Sequence, residues 1–156
     1  MKTVCFTGHR DIEVGELPQL KRLLVREIER CIQSGATVFR AGGAMGFDTL
    51  AAQAVLFVKK EHPHIRLELF LPCKTQTRGW PEEDVKEYER ILEASDAHTY
   101  LSERYFRGVM HQRNRMLVNG SDACIAFLRD GASGGTAYTV DFARKSGVPV
   151  INLCHL

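Results

Sequence analysis

The sequence predicts an α/β protein with three layers, in which helices cover both faces of a mainly parallel sheet of about six strands. Short apolar or β-branched runs alternate with amphipathic helical stretches along the whole chain, a pattern typical of βαβ units. Glycine-bearing segments directly follow three of these runs. The length of 156 residues suits one domain with a proper core, so residues 1–156 are predicted to form a single domain.

The first two elements are a strand and a long helix. A β-branched and apolar run predicts a strand at 2–7. A helix is predicted at 17–34, and Gly35 is a suitable stop for it. Its apolar side chains recur at intervals of three and four: Leu17, Leu20, Leu24, Ile28 and Cys31.

The next three elements are a strand at 36–41, a helix at 47–61 that ends before Pro63, and a strand at 65–71. The third strand alternates apolar and polar residues. Such alternation is typical of a half-exposed strand. We therefore expect this strand at an edge of the sheet.

Pro81 and the three acidic residues after it begin a third helix, because proline suits the first turn and acids suit the positive end of the helix dipole. This helix reaches about Ser95. The remaining predicted elements are a weaker strand at 97–101, a helix at 108–119, a strand at 123–128, a helix at 135–146 and a strand at 148–153.

Composition narrows the choice of partners. The net charge is only +2, and basic residues are interleaved with acidic ones, which argues against nucleic acid as a partner. The five cysteines are odd in number and lack metal-ligand spacing, so no metal ion or cofactor is predicted. No apolar run approaches the roughly 18 residues of a spanning helix, and the chain opens with a strand rather than a signal peptide. We therefore expect a cytoplasmic protein that makes no use of a membrane.

A strand that runs into a glycine turn and a helix N-terminus exposes backbone N–H groups at the positive end of a dipole. The three segments of this kind are Thr7-Gly8-His9-Arg10, Gly42-Gly43-Ala44-Met45-Gly46 and Ser133-Gly134-Gly135-Thr136. In an assumed strand order 3-2-1-4-5-6 they meet at the carboxyl edge, near the reversal between strands 1 and 4. They predict a site for a phosphorylated ligand, and a nucleotide is the ligand that we favour.

Each segment also has a purely structural interpretation. The loop at 42–46 is neither a GxGxxG fingerprint nor a Walker A loop, and it fits a tight turn equally well. Asp48 is either a helix N-cap or an acceptor for ribose hydroxyls. Ser133 is either a helix N-cap or a donor to phosphate. His9 and Arg10 belong either to a surface loop or to the cationic wall of the crevice.

Arg113 lies in the middle of a core-facing stripe on the predicted helix 108–119. The stripe consists of Val109, Met110, Met116 and Leu117. A buried guanidinium needs an anionic partner. The partner is either a structural carboxylate or a ligand phosphate, and the nearby glycine turns favour the ligand. Asn114 beside it is a candidate for reading a sugar or base, and Trp80 is either a packing residue or a base-stacking one.

Taken together, these residues resemble the YpsA-like family of the SLOG superfamily of Rossmann-like proteins. The resemblance covers nearly the whole chain. It rests on the three glycine segments, with Phe47-Asp48 after the second, on Gln76 with Trp80, and on Arg113-Asn114. It implies a Rossmann-like fold and a nucleotide or nucleotide-derived ligand. Superfamily relatives often dimerise, so the resemblance also implies a homodimer.

Two groups of superfamily relatives imply different activities. The Lonely Guy phosphoribohydrolases carry Met-His-x-Arg-Lys, which Met110-His111-Gln112-Arg113 matches with Asn114 in place of lysine. Their catalytic glutamate corresponds to Thr139, so the resemblance carries phosphate binding over without the hydrolytic carboxylate. The DprA/Smf proteins, which load DNA, share the loop at 42–48, but the weak basic balance argues against this role. A binding or sensing module is the first hypothesis, and a hydrolase that uses Asp48 is the alternative.

Overall fold

The computed structural model describes all 156 residues. The chain folds into one sheet between two layers of helices. The strands are β1 (Thr3–Gly8), β2 (Val38–Ala41), β3 (Arg66–Cys73), β4 (Ala97–Ser102), β5 (Ala123–Phe127) and β6 (Val150–Asn152). The helices are α1 (Leu17–Gln33), α2 (Phe47–Lys59), α3 (Glu82–Ala94), α4 (Val109–Val118) and α5 (Gly135–Lys145). Short 3₁₀ turns occur at Val14–Glu16 and Leu153–His155. None of the helices is long and apolar enough to cross a membrane.

The predicted fold class is confirmed, since the six strands are parallel and five helices cover them. Most elements begin and end within two residues of the predicted positions. The last strand is shorter than predicted, because the chain turns into a 3₁₀ turn after Asn152. The side chain of Asn152 accepts from the N–H of Cys154 and thereby caps that turn.

The assumed strand order is wrong. The observed order is β4-β3-β2-β1-β5-β6, so β5 rather than β4 lies beside β1. Every residue of β5 is buried, whereas His98 and Thr99 of β4 are exposed. An entirely apolar strand is most stable when it is covered on both faces. The reversal of winding therefore lies between β1 and β5.

The prediction that the third strand lies at an edge is also wrong, because β4 pairs with β3 and takes the edge. The alternation in β3 has a different cause. Leu67, Leu69 and Leu71 face the larger core, and Arg66 and Glu68 form a 3.5 Å ion pair. Arg66 and Glu68 point to the opposite face, on which only α4 and α5 pack. There α4 covers the end of β3 and leaves these two residues at its start partly open to solvent.

The core has two parts, one on each face of the sheet. The larger part lies beneath α1, α2 and α3, and a smaller one lies beneath α4 and α5. Parallel pairing in the order β2-β1-β5 places the loops after three adjacent strands next to one another. These loops are the three glycine segments, and they meet at the carboxyl edge of the sheet, as predicted.

Candidate functional site

A cleft of about 360 Å³ opens where these three loops meet the starts of α2, α4 and α5. Only two of its lining residues, Ala44 and Met110, are hydrophobic. Nine of the residues predicted to bind a ligand line it: Gly8, His9, Arg10, Asp48, Arg113, Asn114, Ser133, Gly135 and Thr136.

The other predicted glycines, Gly42, Gly43, Gly46 and Gly134, shape the walls without lining the cleft. A Cβ on Gly42 would lie 2.7 Å from Nη1 of Arg113 and 2.9 Å from Oδ2 of Asp48. The backbone carbonyl of Arg10 occupies the place where a Cβ on Gly46 would lie. Both positions therefore require glycine for close packing, and their ligand contacts stay a prediction.

Arg113 is the buried cation of the site, with 3% of its surface exposed. Its Nε donates to Oδ1 of Asn114 at 2.8 Å, and its Nη1 donates to the carbonyl of Gly42. No carboxylate lies within ion-pair distance, and Nη2 has no partner in the protein. Burial lowers the pKa of Arg113, while Asp48 opposes that change. The sequence predicted an anionic partner for Arg113, but no side chain of the protein forms a direct salt bridge with it.

Asp48 lies in the first turn of α2 and is only 7% exposed. Gly46, not Asp48, is the helix N-cap. The carboxylate instead closes its own loop, because Oδ2 accepts from the N–H of Ala44 at 3.1 Å. Burial raises the pKa of Asp48, and Arg113 offsets part of this rise. The second oxygen has no partner in the protein, so it remains free to accept from a ligand.

The start of α5 has no side-chain cap. Gly134 is the N-cap residue, with φ 98° and ψ −157°, so Ser133 does not serve as the cap. The first backbone bond of the helix runs from the N–H of Tyr138 to the carbonyl of Gly134. The N–H groups of the preceding turn, at 135–137, have no backbone or side-chain partner there. They lie at the positive end of the helix dipole.

Asn114 extends from α4 towards the start of α5. Its Oδ1 accepts from Arg113, which leaves Nδ2 as its free donor. That nitrogen lies 3.9 Å from the position of a Cβ on Gly135. Asn114 therefore presents a donor to the same point as the α5 backbone, a geometry that suits an anion.

His9 and Arg10 form the wall after β1. Nε2 of His9 accepts from the backbone N–H of Arg129 at 2.9 Å, and the ring packs edge-on against Phe127. Burial and Arg129 lower the pKa of His9. A ring whose Nε2 accepts a hydrogen bond carries its proton on Nδ1, so His9 is a neutral donor rather than a cation. Arg10 is exposed at the mouth.

Four further residues line the cleft: Thr7, Ala44, Met110 and His111. Thr7 and Ala44 belong to the predicted glycine segments, and Met110 and His111 to the Met-His-x-Arg match, but none of the four was predicted to contact a ligand. Met110 precedes Arg113 by three residues and so shares its helix face, a signal that was available. The ring of His111 packs against that of Tyr138, with centroids 4.1 Å apart. Only the packing of α4 against α5 brings that pair together.

Thr139 occupies the position that the resemblance assigns to a catalytic glutamate, and its side chain carries no charge. Its hydroxyl donates to the carbonyl of Gly135 at 2.8 Å and is buried within α5. No group of three or more His, Cys, Asp or Glu side chains is arranged to hold a metal ion.

Comparison with families of known proteins gives one match over nearly the whole chain. The YpsA model, described as the YspA SLOG family, matches residues 4–148. A UPF0398 protein of Halalkalibacterium halodurans is 29% identical over 154 residues, which cover 93% of this chain and 82% of that one. A UPF0398 protein of Bacillus thuringiensis is 26% identical, with coverage of 94% and 85%.

Two solved structures share the fold. DNA processing protein A from Helicobacter pylori, which binds single-stranded DNA, superposes with a TM-score of 0.67 at 24% identity. The match covers 95% of this chain but 63% of that one, less than two thirds of its length. The protein TM1055 superposes with a TM-score of 0.60 at 20% identity, covering 96% of this chain and 72% of that one. At these identities the likeness concerns the fold alone.

Proposed function

Since this chain belongs to the YspA SLOG family, we propose that it binds or senses a nucleotide or nucleotide-derived ligand in the cleft. The observation that carries the proposal is the uncapped start of α5, which shares the cleft with a buried arginine. Free N–H groups, a helix dipole and a guanidinium with an unused amino group are the elements of a phosphate site.

The phosphate lies against the backbone of Gly135 and Thr136 in this proposal. Nδ2 of Asn114 and Nη2 of Arg113 donate to it from α4. The neutral His9 adds a donor from the opposite wall. Because these donors come from three elements fixed by the sheet, they are arranged for the anion before it binds.

The sugar lies towards Asp48. An aspartate repels phosphate but accepts hydrogen bonds from vicinal hydroxyls, and Asp48 is one of the residues that line the cleft. The bond from the N–H of Ala44 to Oδ2 orients the carboxylate. A phosphate near α5 and a diol near α2 together describe a ribose phosphate.

Thermal unfolding tests the proposal. Wild type and Arg113→Ala are heated with AMP, ADP-ribose, NAD or inorganic phosphate. A ligand at about a hundred times its dissociation constant adds roughly 2.7 kcal/mol to the free energy of unfolding. That corresponds to a rise in Tm on the order of 5–10 °C for a chain of this size. We expect the wild type to show this rise and Arg113→Ala to lose it.

A matched control separates binding from folding. Arg144→Ala removes an exposed cation from the last turn of α5 that does not line the cleft, so it should keep the ligand-induced rise. No rise with any compound for wild type would overturn the proposal. Size-exclusion chromatography of the same samples tests the homodimer, which stays a prediction.

One observation favours hydrolysis as a second function. Asp48 is the carboxyl of the cleft, and burial raises its pKa, which suits a general acid. Incubation with AMP and chromatography for free base tests this function. Base release by wild type that is absent in Asp48→Asn would support it. With Thr139 bonded inside α5, we expect no release and favour binding without turnover.

Single-stranded DNA binding has a separate observation in its favour. The loop between β4 and α4 exposes two aromatic and two basic side chains side by side: Arg104, Tyr105, Phe106 and Arg107. Such interleaving suits stacked bases on a charged backbone. The charge of the whole chain is nearly balanced, so we expect no retention of an oligonucleotide at physiological salt. Salt-dependent retention would contradict that expectation.

A further inference from the structure

A second cavity of about 470 Å³ adjoins the cleft, and Arg10 and Met110 line both. Its outer wall comes from the loop after β3, with Gln76 and Trp80, and from the loop after β4, with Tyr105. Two aromatic side chains and a carboxamide thus line the cavity next to the proposed phosphate site.

The carboxamide of Gln76 is unusual because both of its polar atoms are enclosed and neither has a partner. Oε1 lies 3.6 Å from the position of a Cβ on Gly43, against the loop after β2. Buried polar groups are almost always paired, since an unmade hydrogen bond is unfavourable. A ligand in the cavity reaches the enclosed amide only after the Gln76 side chain rotates, and that rotation breaks no hydrogen bond of the fold.

Trp80 supplies a flat surface in the same cavity. Its ring meets Tyr88 edge-on, with centroids 5.6 Å apart and planes at 86°. Tyr88 thus supports the indole from the protein side. Tyr105, 65% exposed, is a second aromatic side chain of this lining. Aromatic surfaces of this kind stack with nucleobases, whatever the sequence of the base.

We infer that this second cavity binds the base of a nucleotide whose terminal phosphate lies at α5. The inference rests on the proposed function and adds a second subsite to it. The base stacks on Trp80, and Gln76 offers it one donor and one acceptor. Arg10, which lines both cavities, lies between the two subsites.

The sheet sets the length of the ligand. Gln76 follows β3 and α5 follows β5, which are three strand spacings apart in the order β3-β2-β1-β5. At about 4.8 Å for each spacing, the subsites lie roughly 14 Å apart. That distance suits a nucleoside diphosphate better than a monophosphate, so ADP should bind more tightly than AMP.

Trp80 is the only tryptophan of the chain, so tryptophan emission, excited at a wavelength that the four tyrosines do not absorb, reports on this subsite. The protein is titrated with ADP, with ribose 5-phosphate and with pyrophosphate, and binding is followed in parallel by calorimetry. We expect ADP to change the tryptophan emission. Ribose 5-phosphate and pyrophosphate should bind without that change, because neither carries a base.

Variants refine the test. Trp80→Leu should weaken ADP binding on the order of tenfold, while Trp80→Phe keeps an aromatic surface and should stay near wild type. Gln76→Leu should weaken ADP binding yet raise the Tm of the ligand-free protein, because it removes the unpaired amide. None of the three should alter pyrophosphate binding.

The outcomes separate the two proposals. If ADP binds wild type and Trp80→Leu equally and leaves the emission unchanged, the base subsite is overturned while phosphate binding in the cleft stands. If no phosphate compound binds wild type, both are overturned. If ADP binding depends on Trp80 and Gln76 while pyrophosphate binding does not, the base subsite is supported.

Discussion

At the scale of single residues, Arg113 shows how a buried cation is held without a salt bridge. Its guanidinium bonds to the carbonyl of Gly42 and to Asn114, and Asp48 compensates its charge from nearby. The helical stripe predicted the burial of Arg113 correctly. It did not predict the carbonyl partner, because that contact joins residues 71 positions apart. Arg113 therefore holds the loop after β2 in place and also presents a free amino group to the cleft.

Replacing Gly42 with alanine tests this contact. The new Cβ would meet both Arg113 and Asp48 at less than 3 Å, so the guanidinium must shift and its bond to the carbonyl of Gly42 is disturbed. We expect a loss of about 1–3 kcal/mol, which corresponds to about 2–4 °C in Tm for each kcal/mol. Gly15→Ala is the control, since nothing lies within 4 Å of its Cβ. Equal Tm values for the two variants would contradict the packing described around Gly42.

The buried carboxyl of Asp48 predicts an unusual dependence of stability on pH. Burial raises the pKa of Asp48 above its ordinary value of 3.8, so the native state binds the proton more tightly than the unfolded state does. The contribution of this group to stability is therefore largest below 3.8 and declines as the pH rises through the native pKa. Asp48→Asn removes that decline, and it can still accept from the N–H of Ala44.

Urea unfolding from about pH 4 to about pH 8 measures the effect. Asp48→Asn should be more stable than wild type at the upper end, and the two should converge at the lower end. Asp11→Asn, at an exposed aspartate, should follow wild type throughout. An Asp48→Asn protein that is less stable than wild type at neutral pH would instead mean that attraction to Arg113 outweighs burial.

At the scale of elements, a substitution at the start of α5 should affect stability and ligand binding in opposite directions. Gly135 is exposed, and only Nδ2 of Asn114, at 3.9 Å, approaches its Cβ position. Gly135→Asp places a carboxylate in the first turn, where the helix dipole stabilises it by about 0.3–1 kcal/mol. The same carboxylate occupies the place of the proposed phosphate. We expect a Tm equal to or above that of wild type, together with loss of ADP binding.

Gly135→Asn is the matched control, since asparagine has the size of aspartate without its charge. It should bind ADP more weakly than wild type but more tightly than Gly135→Asp. Calorimetry gives the order of the three affinities. If Gly135→Asp binds ADP as wild type does, the phosphate does not lie at α5.

The elements themselves were largely predictable, because each one follows from local periodicity and from its end signals. The error at β3 shows where that reasoning stops. Alternation of apolar and polar residues reports that one face of a strand is open, and an interior strand also has an open face where helices do not cover it. The ion pair of Arg66 and Glu68 marks such a face. The number of helices on each side is needed to tell the two cases apart.

At the scale of the whole molecule, strand order is what the sequence did not determine. The buried β5 beside β1 and the exposed β4 at the edge differ in composition, and that difference favours the observed order. The meeting of the three glycine loops was still predicted correctly, because β1, β2 and β5 lie close together in either order. The cavity proposed to hold a base was harder to predict, since it depends on where the loop after β3 folds back.

Cysteine reactivity provides a test of the whole fold and its ligand together. Four of the five cysteines are buried, and only Cys154 is partly exposed. A thiol reagent should therefore modify native protein at Cys154 first, and the other four should react only as the molecule unfolds. With ADP at about a hundred times its dissociation constant, the unfolded population falls about a hundredfold. Labelling of the four buried thiols should slow by the same factor, as mass spectrometry of digested samples would show.

Because Cys5 and Cys124 are register neighbours on β1 and β5, they should respond together. Protection of Cys154 alone would mean that ADP acts on a local opening near the C-terminus and not on the global unfolding of the sheet.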